Sequence, residues 1–295
     1  MKKSLILAII VLLLGVLIFQ FIDMFSKEEN VFHSTWLWNS SMLSDENQVD
    51  DIIEFLKKEK IKVVYLQVDR KFDAKYYRKF IALCYDIDVE VHALTGSPKA
   101  VFYKEDDYLK KFFEYVSNYN NQVEDNEKFR GLHLDVEPYL LENWKVDQDK
   151  IVEAYQDYIL YVIEESNKLD LLLNIDIPFW FDKVEYDNKY GTGILAEWIM
   201  NNVKNITIMA YRDNAAAILD IIEKELIWAE QYGNLVYIAI EVTDQEEKNV
   251  SFYGKEKEYL QEEMTKIIKE HKDLEIFIAV HDIKALMKMV SLEKK

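Results

Sequence analysis

Cysteine, glycine and proline are scarce in this chain. One cysteine, Cys84, stands among 295 residues, so no disulfide framework can hold the fold and stability must come from a packed core. Cys84 itself lies in Phe80-Ile81-Ala82-Leu83-Cys84-Tyr85, on the apolar side of an expected helix, where it packs rather than reacts. Seven glycines and three prolines are too few for linkers, low-complexity segments or disorder. Positive charge is short as well. Against 54 Asp and Glu there are 36 Lys and Arg, a net charge of −18, and such a field repels phosphate polyanions and makes nucleic acid an unfit partner. A glycine-rich phosphate loop, His-x-His or His-Glu-x-x-His spacing and a Gly-x-Ser-x-Gly elbow are missing too, so neither a metal nor another cofactor is expected, and no activated serine.

What the chain does contain begins with an apolar run. Lys2 and Lys3 precede Leu5 to Ile22, interrupted by Gly15 and Gln20 alone, long enough to cross a bilayer as a helix. No Ala-x-Ala cleavage site follows and no cysteine stands near its end to take a lipid, so residues 1–23 read as an uncleaved signal anchor rather than a removed signal peptide. The two lysines then stay in the cytoplasm, and the acidic remainder becomes the extracytoplasmic part of a single-pass cell-membrane protein. Residues 24–30 make a short polar tether, and residues 31–295 the folded domain.

Half of all residues are hydrophobic and 14% aromatic, enough for a large core. Between residues 31 and 292, short β-rich runs alternate with longer segments of helical period. The expected strands are Val31 to Trp38, Lys62 to Val68, Val89 to Leu94, Gly131 to Val136, Leu171 to Ile177, Ile206 to Tyr211, Val236 to Glu241 and Glu275 to Val280. Strand then helix, eight times over, predicts an α/β fold, a TIM (β/α)8 barrel preceded by a single N-terminal transmembrane helix. Chemistry in such barrels sits at the C-terminal ends of the strands. Trp38 and Asn39, Gln67 and Asp69, Thr95-Gly96-Ser97, Asp135 and Glu137, Asp176 and Trp180, Tyr211 and Asp213, Glu241 and Asp244, and His281 and Asp282 fall there. These ends are acidic and aromatic.

The stretch Phe129-Arg130-Gly131-Leu132-His133-Leu134-Asp135-Val136-Glu137-Pro138-Tyr139 carries the most information. Side chains two apart on a strand point the same way, so His133, Asp135 and Glu137 share one face while Leu132, Leu134 and Val136 share the other. Carboxylates this close disfavour each other's charge and leave one protonated near neutral pH, as a general acid requires. Acids beside aromatic faces suit sugar chemistry, in which an acid protonates the glycosidic oxygen and indole or phenol rings stack on the sugar. Trp38, Gln67, His133, Asp176, Trp180, Asp213 and His281 are the expected substrate-binding residues. Trp198 and Trp228 fall on helices and His92 in a core strand, where packing is their expected role.

Residues 129–137 resemble the strand-four signature of the family 18 chitinase-like glycosidases, Asp-x-x-Asp-x-Asp-x-Glu. Ile208-Met209-Ala210-Tyr211 is similar to that family's strand-six Met-x-Tyr element. The resemblance implies Glu137 as general acid/base, Asp135 as the group that orients a substrate acetamido carbonyl, and Tyr211 as a hydrogen-bond donor to that group, with the sugar's own 2-acetamido oxygen as nucleophile. Arg130 and His133 stand where the family has its two earlier aspartates, and His281-Asp282 where it commonly has a tryptophan. A second mechanism uses the same strand ends: Glu241, closing strand seven, serves as a protein nucleophile opposite Glu137, the pair then standing about 5 to 5.5 Å apart.

The expected function is a membrane-anchored glycoside hydrolase acting on a cell-surface or amino-sugar polysaccharide. The alternatives are a non-catalytic saccharide-binding barrel of the cell envelope, or an envelope scaffold. Fractionation tests the anchor: the full-length chain is expected in the membrane with its domain open to protease from outside, and a chain starting near Met24 is expected to be soluble and folded. A soluble natural chain beginning beyond residue 22 contradicts the anchor.

Overall fold

Runs of Val, Ile, Leu and aromatic residues, buried on both faces, form the eight strands of a closed parallel barrel. The computed structural model describes residues 31–292. The expected anchor and tether lie outside the described residues, and no helix among the described residues is long and apolar enough to cross a membrane. The barrel strands in chain order are β1 (Phe32–Leu37), β2 (Val63–Gln67), β3 (Glu90–Thr95), β4 (Gly131–Leu134) and β5 (Leu172–Pro178). An antiparallel hairpin, β6 (Glu185–Asn188) with β7 (Gly191–Ile194), then interrupts the alternation. Its mostly polar strands carry no apolar period, so this hairpin is additional to the eight expected strands. The barrel resumes with β8 (Asn205–Met209), β9 (Leu235–Glu241) and β10 (Ile276–His281), and β10 pairs with β1 to close it.

Nine helices accompany the strands among the described residues: α1 (Glu46–Lys58), α2 (Ala74–Tyr85), α3 (Tyr108–Gln122), α4 (Gln148–Leu169), α5 (Leu195–Asn202), α6 (Ala215–Ile221), α7 (Glu223–Tyr232), α8 (Lys257–Glu270) and α9 (Ile283–Leu292). Each buries an apolar stripe of the kind that Val49, Ile52 and Leu56 make on α1. Asp45 caps α1 by accepting from the Asn47 backbone N–H at 3.0 Å. Cys84 is fully buried on α2.

The barrel interior is aromatic and polar at once. Trp36, Val63, Tyr65, Leu94, Ala239 and Ala279 form one buried cluster, against which Trp38 and Tyr211 pack from above. Within it the Tyr65 hydroxyl donates to Ser34 Oγ at 3.0 Å, and Thr207 Oγ1 donates to Asn174 Oδ1 at 2.9 Å. These bonds satisfy groups that would otherwise be costly to bury.

β4 ends at Leu134, two residues before the expected end, so Asp135 and Glu137 stand on the segment that leaves the strand. The Asp135 N–H still donates to the Thr95 carbonyl at 3.0 Å, which keeps the departing chain beside β3. Gly96 makes that approach possible, because a Cβ there would fall 2.2 Å from the Asp135 carbonyl oxygen. Gly96→Ala is expected to displace the Asp135 backbone and to cost about 1–3 kcal/mol in stability by overpacking, read from chemical denaturation. A midpoint equal to wild type contradicts this packing.

Candidate active site

The site grows out of the segment after β4. Asp135 is largely buried, and its Oδ1 has no hydrogen-bond partner within the protein. Burial, then the nearby Asp176 and Glu137, push its carboxyl well above the usual carboxylate range, with His281 opposing. Glu137 follows immediately before Pro138, which opens a single 3-10 turn (Pro138–Leu140). Burial first and Asp176 second push Glu137 up to about 7, and His281 again pulls against them. The Tyr139 hydroxyl donates to Glu137 Oε2, a contact that sequence reasoning missed although Tyr139 stands two residues on.

Beneath this pair lie His133 and Asp176. His133 Nε2 sits 2.8 and 2.9 Å from the two Asp176 carboxyl oxygens, and the imidazole stacks on Tyr65 with ring centroids 3.6 Å apart. Trp36 meets it edge-on at 5.4 Å. His133 is fully buried, so it stands beneath the barrel mouth rather than where a ligand could touch it. Burial pushes the imidazole well below its usual range and Asp176 well above its own.

The opposite side is built by β1, β9 and β10. Trp38 Nε1–H donates to His281 Nε2 at 2.8 Å, His281 Nδ1 lies 3.0 Å from Glu241 Oε2, and Glu241 Oε1 accepts from the Thr243 N–H at 2.7 Å. Burial would raise Glu241, yet the bond and charge of His281 outweigh it and hold the carboxyl below the usual glutamate range. Both oxygens of Glu241 are thereby engaged, and the residue is buried. Thr243, like Tyr139, left no signal in the sequence reading.

Tyr211 stands between the two sides. Burial and then the carboxyls of Asp135, Glu241, Asp176 and Glu137 push its phenol well above the usual tyrosine range, so it remains a donor at every physiological pH. The structure therefore gathers Asp135, Glu137, Asp176, Tyr211, Glu241, His281 and Trp38 around one barrel mouth. Trp180 flanks it, half-buried, edge-on to Tyr139 at 5.0 Å and to Phe181 at 5.0 Å. Gln67 is half-buried at the end of β2 and donates to the Val68 carbonyl at 3.4 Å. Asp213 is held elsewhere: Lys255 approaches it at 3.5 Å and Asn214 Nδ2 donates to it at 3.1 Å. Arg130, in an early aspartate position of the resembled motif, turns outward to Asp125 at 2.9 Å. Among the described residues, no three His, Cys, Asp or Glu side chains are grouped to hold a metal ion.

No family model and no curated protein matches this sequence. Solved structures do. A family 18 chitinase from Pseudoalteromonas aurantia superposes with a TM-score of 0.58 at 13% identity, covering 88% of this chain and 99% of that one. The PgaB (BpsB) glycoside hydrolase domain from Bordetella bronchiseptica gives 0.56 at 12% identity, covering 90% and 97%. The spore cortex-lytic enzyme SleL of Bacillus megaterium gives 0.54 at 10% identity, covering 90% and 73%. At these identities the likeness is one of fold. That fold is the TIM barrel, which this chain shares with the chitinase and the two other structures.

Proposed function

We propose that this protein is a glycoside hydrolase acting on a cell-surface or amino-sugar polysaccharide, anchored in the membrane by residues 1–23 with its barrel on the extracytoplasmic side. The observation that carries the reading is Glu137, a half-buried carboxyl on the segment beyond β4 that accepts from the Tyr139 hydroxyl, follows Asp135 by two residues and is pushed up to about 7. Such a group keeps a proton near neutral pH and can still lose it, as a general acid/base must. The likeness to a chitinase and to a spore cortex-lytic enzyme supports a saccharide polymer as substrate.

In this reading Glu137 protonates the glycosidic oxygen as the bond to the anomeric carbon breaks. Asp135 orients the 2-acetamido group, Tyr211 donates to it, and the acetamido oxygen closes on the anomeric carbon. Glu137, now a carboxylate, takes the proton of the water that opens the resulting ring. Glu241 accepts from the Thr243 N–H and from His281 Nδ1–H, bonds that tie its carboxylate to the β9–β10 side of the mouth and support this route over a protein nucleophile. Trp38 and Trp180 supply flat faces for the sugar.

Because the acid form of Glu137 starts the reaction, turnover is expected to fall as pH rises through Glu137's midpoint. Glu137→Gln removes the proton and keeps the shape. Turnover of an amino-sugar oligosaccharide should drop roughly 10²- to 10⁴-fold while binding survives. Asp135→Asn should also cost activity, and Glu241→Gln should cost less than Glu137→Gln; an equally deep loss would favour the protein nucleophile. Wild-type protein that binds glycans, cleaves none across a broad panel and matches Glu137→Gln in every respect would establish the saccharide-binding barrel instead.

A further inference from the structure

Three neighbouring strands of the barrel, β9, β10 and β1, each deliver one side chain to a continuous hydrogen-bonded chain. The parallel register sets His281 beside Glu241, and the pairing of β10 with β1 brings Trp38 to the other edge of the imidazole. An indole N–H donates and cannot accept. Nε2 of His281, 2.8 Å from Trp38 Nε1, must therefore be the acceptor. That leaves the hydrogen of a neutral ring on Nδ1, where it is donated to Glu241 Oε2 at 3.0 Å. The tautomer and the ring orientation are both fixed by partners on opposite edges.

We propose that Glu241 and His281 are a positioning pair that holds the Trp38 indole as a wall of the cleft, and that the wall is released when His281 takes up a second proton. The role of Trp38 as a sugar-facing surface rests on the function proposed above; the hydrogen-bonded chain does not. In the imidazolium both ring nitrogens carry hydrogen, so Nε2–H and the indole N–H would confront each other without an acceptor between them. One side must yield. Glu241 is 3% exposed and is held by two N–H groups, whereas Trp38 is only partly buried and bonded through its one N–H. The indole is the side that moves.

The groups facing His281 pull in opposite directions. Glu241 from β9, Asp282 from its own strand end and Asp135 from beyond β4 favour the cation, while burial disfavours it. Trp38 demands the neutral ring. Asp176 on β5 and Glu137 beyond β4 also sense the His281 charge, which draws their carboxyls down. Tyr211 beyond β8 and Trp36 on β1 pack their rings 6.5 and 5.6 Å from the imidazole and bring no charge. Burial alone would lower the imidazole, but Glu241 outweighs it and holds His281 above the usual histidine range. Proton uptake thus loosens the wall and places a positive charge beside Glu137, in a single event, as pH falls through the His281 midpoint.

Nitrogen-15 NMR of the imidazole and indole groups, on the full-length chain in nanodiscs, tests the pair. The expected result is an Nδ1–H tautomer for His281 and a Trp38 indole resonance that shifts with the same midpoint as the imidazole. His281→Gln keeps an amide oxygen to accept from Trp38 and does not titrate, so the indole resonance should stay in its bonded position and lose that pH dependence. His281→Leu should release the indole at every pH; should that variant not fold, His281→Gln carries the test. An Nε2–H tautomer, or a Trp38 resonance that titrates unchanged in His281→Gln, overturns the proposal. With a chito-oligosaccharide as probe, affinity should fall about tenfold in Trp38→Ala and His281→Leu and be retained in His281→Gln. A wild-type protein that binds no such probe overturns the amino-sugar reading, while the tautomer and the shared midpoint decide the positioning pair on their own.

Discussion

Three carboxyl groups, those of Asp135, Glu137 and Asp176, are drawn into the mouth of a closed barrel where His281, once protonated, is the positive group that acts on them. Removing a carboxylate from water costs far more than removing the acid. Each of the three therefore holds its proton to higher pH than a free carboxyl would. The rest of the mouth is consistent with that constraint. Gly96 lets the chain beyond β4 come close to β3, Thr95 accepts from the Asp135 N–H, and Tyr211 presents a phenol that four carboxyls keep from ionising.

Glu241 shares the mouth and behaves in the opposite way. The Thr243 N–H and the His281 Nδ1–H both point at it, and the charged form is favoured in spite of burial. Two glutamates at strand ends of one barrel are thus pushed apart, Glu137 upward and Glu241 downward. Environments that separate the proton affinities of paired groups are how acid and anion roles are divided in an active site. The division here follows from what each side chain meets: Glu137 faces Asp176 and the Tyr139 hydroxyl, Glu241 faces two N–H donors.

The barrel was legible because eight apolar runs of strand length are separated by helical periods, a pattern that local sequence carries by itself. The hairpin β6–β7 was not, since Glu185, Asp187 and Asn188 interrupt any apolar period. Asp135, Glu137 and Tyr211 could be nominated from strand ends and from two short motifs. What those motifs could not carry was depth. His133 shares the alternation of Asp135, yet Tyr65 from β2 and Asp176 from β5 enclose it completely, and no pattern local to strand four contains those partners. Asp213 likewise sits at a strand end but is taken by Lys255. The Trp38–His281 bond spans 243 positions of the chain, and closure of β10 onto β1 is what creates it.

The central claim is that the barrel mouth keeps a proton on Glu137 at neutral pH. Carbon-13 NMR of the Glu137 side-chain carboxyl, followed across pH and assigned by its loss in Glu137→Gln, reads that proton directly. The account predicts a midpoint near 7. A midpoint in the ordinary glutamate range, about 4 to 5, would contradict it.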